Sequence, residues 1–256
     1  MSSSEATVAV VVGGASGIGA AITARYRAAA VPVIVWDLRG ERDVSCDISD
    51  PAQIDEAVKS TVDRIGVPDR LTVCAGIGHS GLLLETSPDA WDTVMSVNAR
   101  GPWLVMRAVA GTMIESGIAG SIVAISSVSA HLVDRNMGLY CASKAALNMV
   151  VKVAAAEWAQ AGIRVNAVAP GVTDTPMLGG APLGTGWLAR VADRTALGTI
   201  GAPERVAEAV LALHELTWVT GQVLDCDGGL GLHSPIDAYE EVLRYERSKA
   251  GPPVTA

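Results

Sequence analysis

Short Val- and Ile-rich runs alternate with longer stretches of helical period along most of the chain. The apolar runs predict strands at 7–13 (TVAVVVG), 31–36 (VPVIVW), 70–76 (RLTVCAG), 120–126 (GSIVAIS), 163–170 (IRVNAVAP) and 221–229 (GQVLDCDGG). Helices are predicted to open near Ile18, Pro51, Pro88, Tyr140 and Pro203. Asp50-Pro51 and Ser87-Pro88 each set a capping side chain before a proline suited to the first helical position. Gly162 closes the long helix that begins near Tyr140. Strands that are apolar throughout, each followed by a helix, imply an α/β fold: a doubly wound, Rossmann-type parallel sheet with helices on both faces.

No repeat or linker interrupts this alternation, so residues 1–231 read as one dinucleotide-binding and catalytic domain, with 232–256 a C-terminal extension of it. Within the extension a charged helix is predicted over 236–249, and the last seven residues read as frayed. Half of the residues are apolar, mostly Ala and Val with no Phe, which suits a sheet packed with small side chains. A net charge of −8 argues against nucleic acid as a partner. The four cysteines (Cys46, Cys74, Cys141, Cys226) are scattered, which gives neither a zinc pattern nor a disulfide framework. Without a signal-like N-terminus or about 20 consecutive apolar residues, the expectation is a cytoplasmic protein with no membrane span.

The first strand runs into VVVGGASGIGAAI, where Gly13, Gly17 and Gly19 are spaced G-x-x-x-G-x-G. Such a turn can bring backbone against a pyrophosphate and place it at a helix N-terminus. Asp37 ends the second strand, where a carboxylate can accept both ribose hydroxyls of an adenosine and repel a 2′-phosphate. Together they favour NAD over NADP, with Arg39 the one nearby cation that could admit the phosphate.

Tyr140 and Lys144 lie one helical turn apart, a spacing that serves a surface contact as well as a catalytic pair. Beside GGASGIG, VNARG, ISSVSA, YCASK and PGVTDTPM in this order, the pair takes on a different meaning. Over residues 7–230 the chain resembles the short-chain dehydrogenase/reductase family. The resemblance implies hydride transfer between a nicotinamide cofactor and an alcohol or carbonyl. It implies catalytic roles for Asn98, Ser127, Tyr140 and Lys144. It places the cofactor against Gly13, Ser16, Gly17, Ile18 and Gly19, then Asp37 and Leu38, with Asp47 and Ile48 at adenine. Ala75, Gly76, Tyr140 and Lys144 would complete its wall, and Pro170, Gly171, Val172, Thr173 and Thr175 would hold the nicotinamide end.

Two departures stand out. Val12 replaces the threonine usual before the glycine turn, and VCAG (73–76) replaces N-N-A-G. The connection from Asp37 to Asp47 is too short for the usual helix. That shortness, with ISSVSAHL, gives a narrower likeness to bacterial 3α-hydroxysteroid dehydrogenases. The implied chemistry sets Lys144 and an oxidised nicotinamide to lower the tyrosine pKa from about 10, Ser127 to bind the substrate oxygen, and Asn98 to distort its helix and anchor a water.

Residues 176–202, with Met177, Leu178, Leu183, Trp187 and Leu188, read as an apolar lid over a small hydrophobic alcohol or ketone. His131 is a candidate for the pocket wall; His79, His214 and His233 are read as surface or wall residues. Helices at 88–116 and 140–161 are apolar on more than one face, which points to a homo-oligomer, dimer or tetramer. The function expected is NAD-dependent oxidation of a hydrophobic secondary alcohol. The alternatives are an NADP-dependent 3-oxoacyl thioester reductase, favoured by Arg190 and Arg194, and an idle nucleotide-binding regulatory protein.

Overall fold

The computed structural model describes residues 7–179, 184–232 and 238–249. Leu183, His233 and the last seven residues lie outside them. Strands β1 (Ala9–Val12), β2 (Val33–Asp37), β3 (Val44–Ser45), β4 (Arg70–Val73), β5 (Gly120–Ile125), β6 (Ile163–Pro170) and β7 (Val223–Cys226) form one sheet. Its order is β3-β2-β1-β4-β5-β6-β7 and every pairing is parallel. The order reverses between β1 and β4, and a ligand crevice opens at the carboxyl ends of the strands at such a point.

Alternate residues of β1 belong to opposite cores, as a period of two requires. Ala9 and Val11 pack with Ile22 and Tyr26 of α1 (Gly17–Ala28) and Val206, Val210 and Leu213 of α8 (Pro203–Glu215). Val10 and Val12 belong to the other core, with Ile54 of α2 (Pro51–Ile65), Met106 and Met113 of α4 (Gly101–Glu115), and Leu147 and Val151 of α5 (Gly138–Trp158). Trp36, fully buried on that side, donates from Nε1 to Thr61 Oγ1 at 2.9 Å.

The six predicted strands are present, β6 with the predicted bounds and the others shifted or shortened by a few residues at their ends, and β3 adds a seventh. Only two residues long, β3 offers no alternation to read, yet it pairs with Trp36 and Asp37 in the connection that holds no helix. Asp50 and Ser87 cap α2 and α3 (Pro88–Met95) as expected, accepting from Ala52 N and Ala90 N. The helix predicted over 88–116 is interrupted: α3 and α4 are joined by a π-helical turn at Ser96–Arg100 that contains Asn98. Beyond α5 a 3₁₀ turn leads to Gly162, whose φ of 76° is the left-handed conformation a helix stop needs. The lid region contains short helices α6 (Pro176–Gly179) and α7 (Trp187–Arg194), and the extension contains α9 (Ala238–Lys249).

One helical stretch, Gly138–Ala161, is long and apolar enough by length and composition to cross a membrane, which the sequence reading had not singled out. It packs instead on β6, and it holds Lys144 at 4% exposure beneath the crevice, as a core helix does.

Candidate active site

The glycine turn between β1 and α1 leaves no room for side chains. A Cβ at Gly19 would lie 2.0 Å from Gly13 O, and one at Gly13 would lie 2.6 Å from Ala75 N. Gly13 also has a φ of 75°, which disfavours any L side chain. Val12 O accepts from Cys74 N at 2.8 Å and Ala75 N at 3.1 Å. The backbone thus joins the turn to β4 without the threonine and asparagine side chains that Val12 and Cys74 replace. Ser16 is the N-cap of α1 but its side chain makes no capping bond, so it does not take up the first-turn amides of Gly17, Ile18 and Gly19, a helix N-terminus suited to cradle an anion. Across from it, the Thr175 side chain lies 3.3 Å from where a Cβ on Gly17 would be.

Asp37 closes one flank of this cradle. Its Oδ2 accepts from Ala15 N at 3.0 Å and its Oδ1 from Arg39 N at 3.1 Å, so the carboxylate is fixed beside the glycine turn, followed by half-exposed Leu38. Asp47 Oδ1 accepts from Ser49 N and Oγ. Ile48 packs inward, and its Cγ1 would lie 2.8 Å from a Cβ on Gly101, so only its backbone remains to meet a ligand. On the opposite flank Thr173 Oγ1 donates to Gly171 O at 3.0 Å, fixing the turn after Pro170, and Val172 O accepts from Gly201 N. The shape, the amides and the placed carboxylate fit a dinucleotide.

Asn98, Ser127, Tyr140 and Lys144 converge beside Ala75 and Gly76. Ser127 caps the 3₁₀ turn Val128–Ala130, and its Oγ accepts from Ser129 N at 3.1 Å, which leaves its own proton for another acceptor. That hydroxyl lies near enough to the Tyr140 phenol to draw its pKa down. Lys144 Nζ donates to Ile125 O at 2.9 Å, lies 5.8 Å from the centroid of the Tyr140 ring, and would be 3.4 Å from a Cβ on Gly76. Asn98 is completely buried; its Oδ1 accepts from Ile77 N and its Nδ2 donates to Ile77 O, both at 2.8 Å. Nδ2 also reaches Ser143 Oγ at 3.2 Å, and Ser143 in turn donates to Tyr140 O at 2.8 Å.

These distances revise the expected electrostatics. Burial holds the Tyr140 phenol above its ordinary value; the Ser127 hydroxyl pulls it down, while Cys141 and Asp134 push it further up. Burial also draws Lys144 down to about 8, partly offset by the Cys74 thiol. Desolvation therefore opposes the phenolate that the ammonium, together with an oxidised nicotinamide, is expected to favour.

Residues 13–231 match the family model described as enoyl-(acyl carrier protein) reductase. The 3-oxoacyl-(acyl-carrier-protein) reductase FabG of Thermotoga maritima is 36% identical over 244 residues, spanning 88% of this chain and 98% of that one. The chain belongs to the short-chain dehydrogenase/reductase family. Another relative, 2,5-dichloro-2,5-cyclohexadiene-1,4-diol dehydrogenase LinX of Sphingobium indicum, is 31% identical, over 87% of this chain and 95% of its own. Among solved structures, 3-ketoacyl-(acyl-carrier-protein) reductase from Brucella melitensis, complexed with NADH, has a TM-score of 0.82 at 30% identity, covering 89% of this chain and 99% of that one. ElxO with NADP bound superposes with a TM-score of 0.82 at 26% identity, covering 90% and 100%. Family members of this fold thus carry either cofactor.

One histidine departs from the sequence reading. His214 is 3% exposed, between Thr72 Oγ1 and Ser121 Oγ at 3.0 Å each, near the amino end of β5 and remote from the crevice. Burial, with Arg70 and Arg164 beside it, draws its pKa down to about 3. His131 pairs through Nε2 with Asp225 Oδ2 of β7 at 3.2 Å. Residues that the motifs did not flag also support the site: Ser143 under Tyr140, and Ser129, whose Oγ donates to Asp134 Oδ2 at 2.6 Å. Ser143 sits one position before Lys144 and could have been read as part of YCASK.

Proposed function

We propose that this oxidoreductase is an NAD-dependent dehydrogenase of a hydrophobic secondary alcohol, working in either direction according to supply. The observation that carries the reading is the meeting of the Ser127 hydroxyl, the Tyr140 phenol and the Lys144 ammonium at the carboxyl ends of the strands, beside the glycine turn. Gly13, Ser16, Gly17, Ile18 and Gly19 would hold the pyrophosphate, Asp37 the adenosine ribose, Lys144 the second ribose, and Pro170 to Thr175 the nicotinamide carboxamide. When bound, the nicotinamide supplies the hydride acceptor, or donor, and in its oxidised form a positive charge. Tyr140 takes the proton from the alcohol oxygen in oxidation and returns it to the carbonyl oxygen in reduction, a general acid–base contribution of order 10²–10⁴ in rate. Ser127, its Oγ held by Ser129 N, donates to that same oxygen and stabilises the charge developing there. Lys144, near 8, can exchange the proton that Tyr140 gains or loses.

The preference for NAD rests on Asp37, whose fixed carboxylate would face a 2′-phosphate. The apolar substrate class rests on exposed Leu83, Leu84, Val133, Met177 and Leu188 in the segments around the crevice. Similarity to FabG supports the thioester-reductase reading, as do Arg190 and Arg194 on α7, although Arg190 donates to Thr185 O at 3.3 Å in its own segment. A homo-oligomer is supported by Trp91, Trp103, Met149 and Val153, exposed on α3, α4 and α5. A groove of about 410 Å³ beside them is lined by Met95, Ala99, Arg100, Trp103 and Val150. The four free cysteines suit a reducing, cytoplasmic setting. The test is NADH appearance with cyclohexanol, benzhydrol and menthol, set against thioester reduction with NADPH. Faster thioester reduction would overturn the alcohol reading, and a preference for NADP would overturn the role given to Asp37.

A further inference from the structure

The segment between Ser127 and Tyr140 holds a polar arrangement with no part in the proton transfer described above. Ser129 donates its amide to Ser127 Oγ at 3.1 Å and its hydroxyl to Asp134 Oδ2 at 2.6 Å. The backbone carbonyl of Asp134 accepts from Met137 N at 3.2 Å, in the last turn before α5. Between them Asn136 takes a left-handed φ of 73°, and its carbonyl accepts from Gly81 N at 2.8 Å. One residue thus grips both ends of the loop: by its side chain the end that carries Ser127, by its backbone the end that leads to Tyr140. A hydrogen bond to a carboxylate is shorter and stronger than one between neutral groups, and this one acts on a serine that is itself only 7% exposed.

We propose that Asp134 is a positioning residue for the Ser127–Tyr140 pair, acting through Ser129 on the serine and, through the loop end that it holds before α5, on the tyrosine. The proposal rests on the reading of those two residues as catalytic. The groups that face Tyr140 are the Ser127 hydroxyl, the Cys141 thiol, the Asp134 carboxylate and, 5.8 Å from the ring centroid, the Lys144 ammonium. Of these, Asp134 and Cys141 favour the protonated phenol. Asp134 thus adds to burial, the larger cause, in keeping Tyr140 protonated, the form needed to give a proton to a carbonyl oxygen.

The test compares Asp134→Asn, which keeps an oxygen acceptor for Ser129 but removes the charge, with Asp134→Ala, which removes both, in the full-length protein. Near-ultraviolet tyrosinate absorbance, taken as the difference from the same protein carrying Tyr140→Phe, isolates the titration of Tyr140 without any substrate. Asp134→Asn should lower that midpoint by about half a pH unit. Asp134→Ala should lower it too, and should speed hydrogen exchange at the amides of Ser129 and Met137 about tenfold while the α5 core stays protected. With cyclohexanol, Asp134→Ala should lower kcat about fivefold at unchanged KM for NAD. An unshifted Tyr140 midpoint in Asp134→Asn overturns the proposal, even if turnover falls. So does wild-type exchange in Asp134→Ala. Full turnover in Tyr140→Phe would instead overturn the catalytic reading, so the two failures are told apart.

Discussion

Replacing Asn98 with Ala should damage stability and turnover together, because this side chain is the only bridge described between the π-turn and the loop after β4. Asn98 has no exposed surface, and its amide satisfies both the N–H and the C=O of Ile77 at 2.8 Å. Truncation leaves both backbone groups without that partner. At about 1–3 kcal/mol for each buried group left unsatisfied, the loss is about 2–6 kcal/mol, nearer the lower figure if water enters the space. Gly76, one residue earlier, lies against Lys144 Nζ, so a loosened loop also shifts the wall beside the ammonium. A displacement of about 1 Å there costs up to about 10²-fold in turnover. Urea unfolding followed by tryptophan fluorescence measures the first effect, and NADH formation measures the second. Asn98→Asp is the sharper control. It can accept from Ile77 N but sets a second acceptor against Ile77 O, so it should be no more stable than the alanine variant. Wild-type unfolding and turnover in Asn98→Ala would refute the reasoning.

Two further outcomes follow from the geometry. His214 titrates near 3 when folded against an ordinary 6.5, so as pH falls the unfolded chain takes up its proton first. Its contribution to stability is complete above about 6.5 and is lost toward 3 at up to about 1.4 kcal/mol per pH unit; His214→Gln should flatten the fall in unfolding free energy between pH 7 and pH 5, and an unchanged slope would refute this. Asp37→Ala removes the charge facing the ribose, and it should raise the ratio of NADP to NAD turnover about tenfold or more; an unchanged ratio would show that another group selects the cofactor.

The sheet was legible because Val- and Ile-rich runs at the right intervals leave few other arrangements, and capping pairs such as Asp50-Pro51 fixed helix starts to the residue. The Asp37–Asp47 connection was readable from its length alone. What escaped was long-range or too short to carry a pattern: the two residues of β3, and the burial of His214, whose partners Thr72 and Ser121 are 142 and 93 residues away. The distortion of the helix at Asn98 was expected from its motif, but its bonds to Ile77, 21 residues earlier, were not. The burial of Tyr140 and Lys144 escaped for a related reason. Helical spacing gives the nearness of Lys144, but not the depth at which both groups are buried, and depth decides the direction of the shift.

The central claim, that Tyr140 moves the proton while a nicotinamide cofactor accepts the hydride, is tested most directly by Tyr140→Phe. NADH binding, followed by its fluorescence, should stay within about twofold of wild type, because the phenol oxygen is not part of the glycine cradle, while turnover of the fastest panel alcohol falls by about 10²-fold or more. Turnover that survives in this variant would contradict the account.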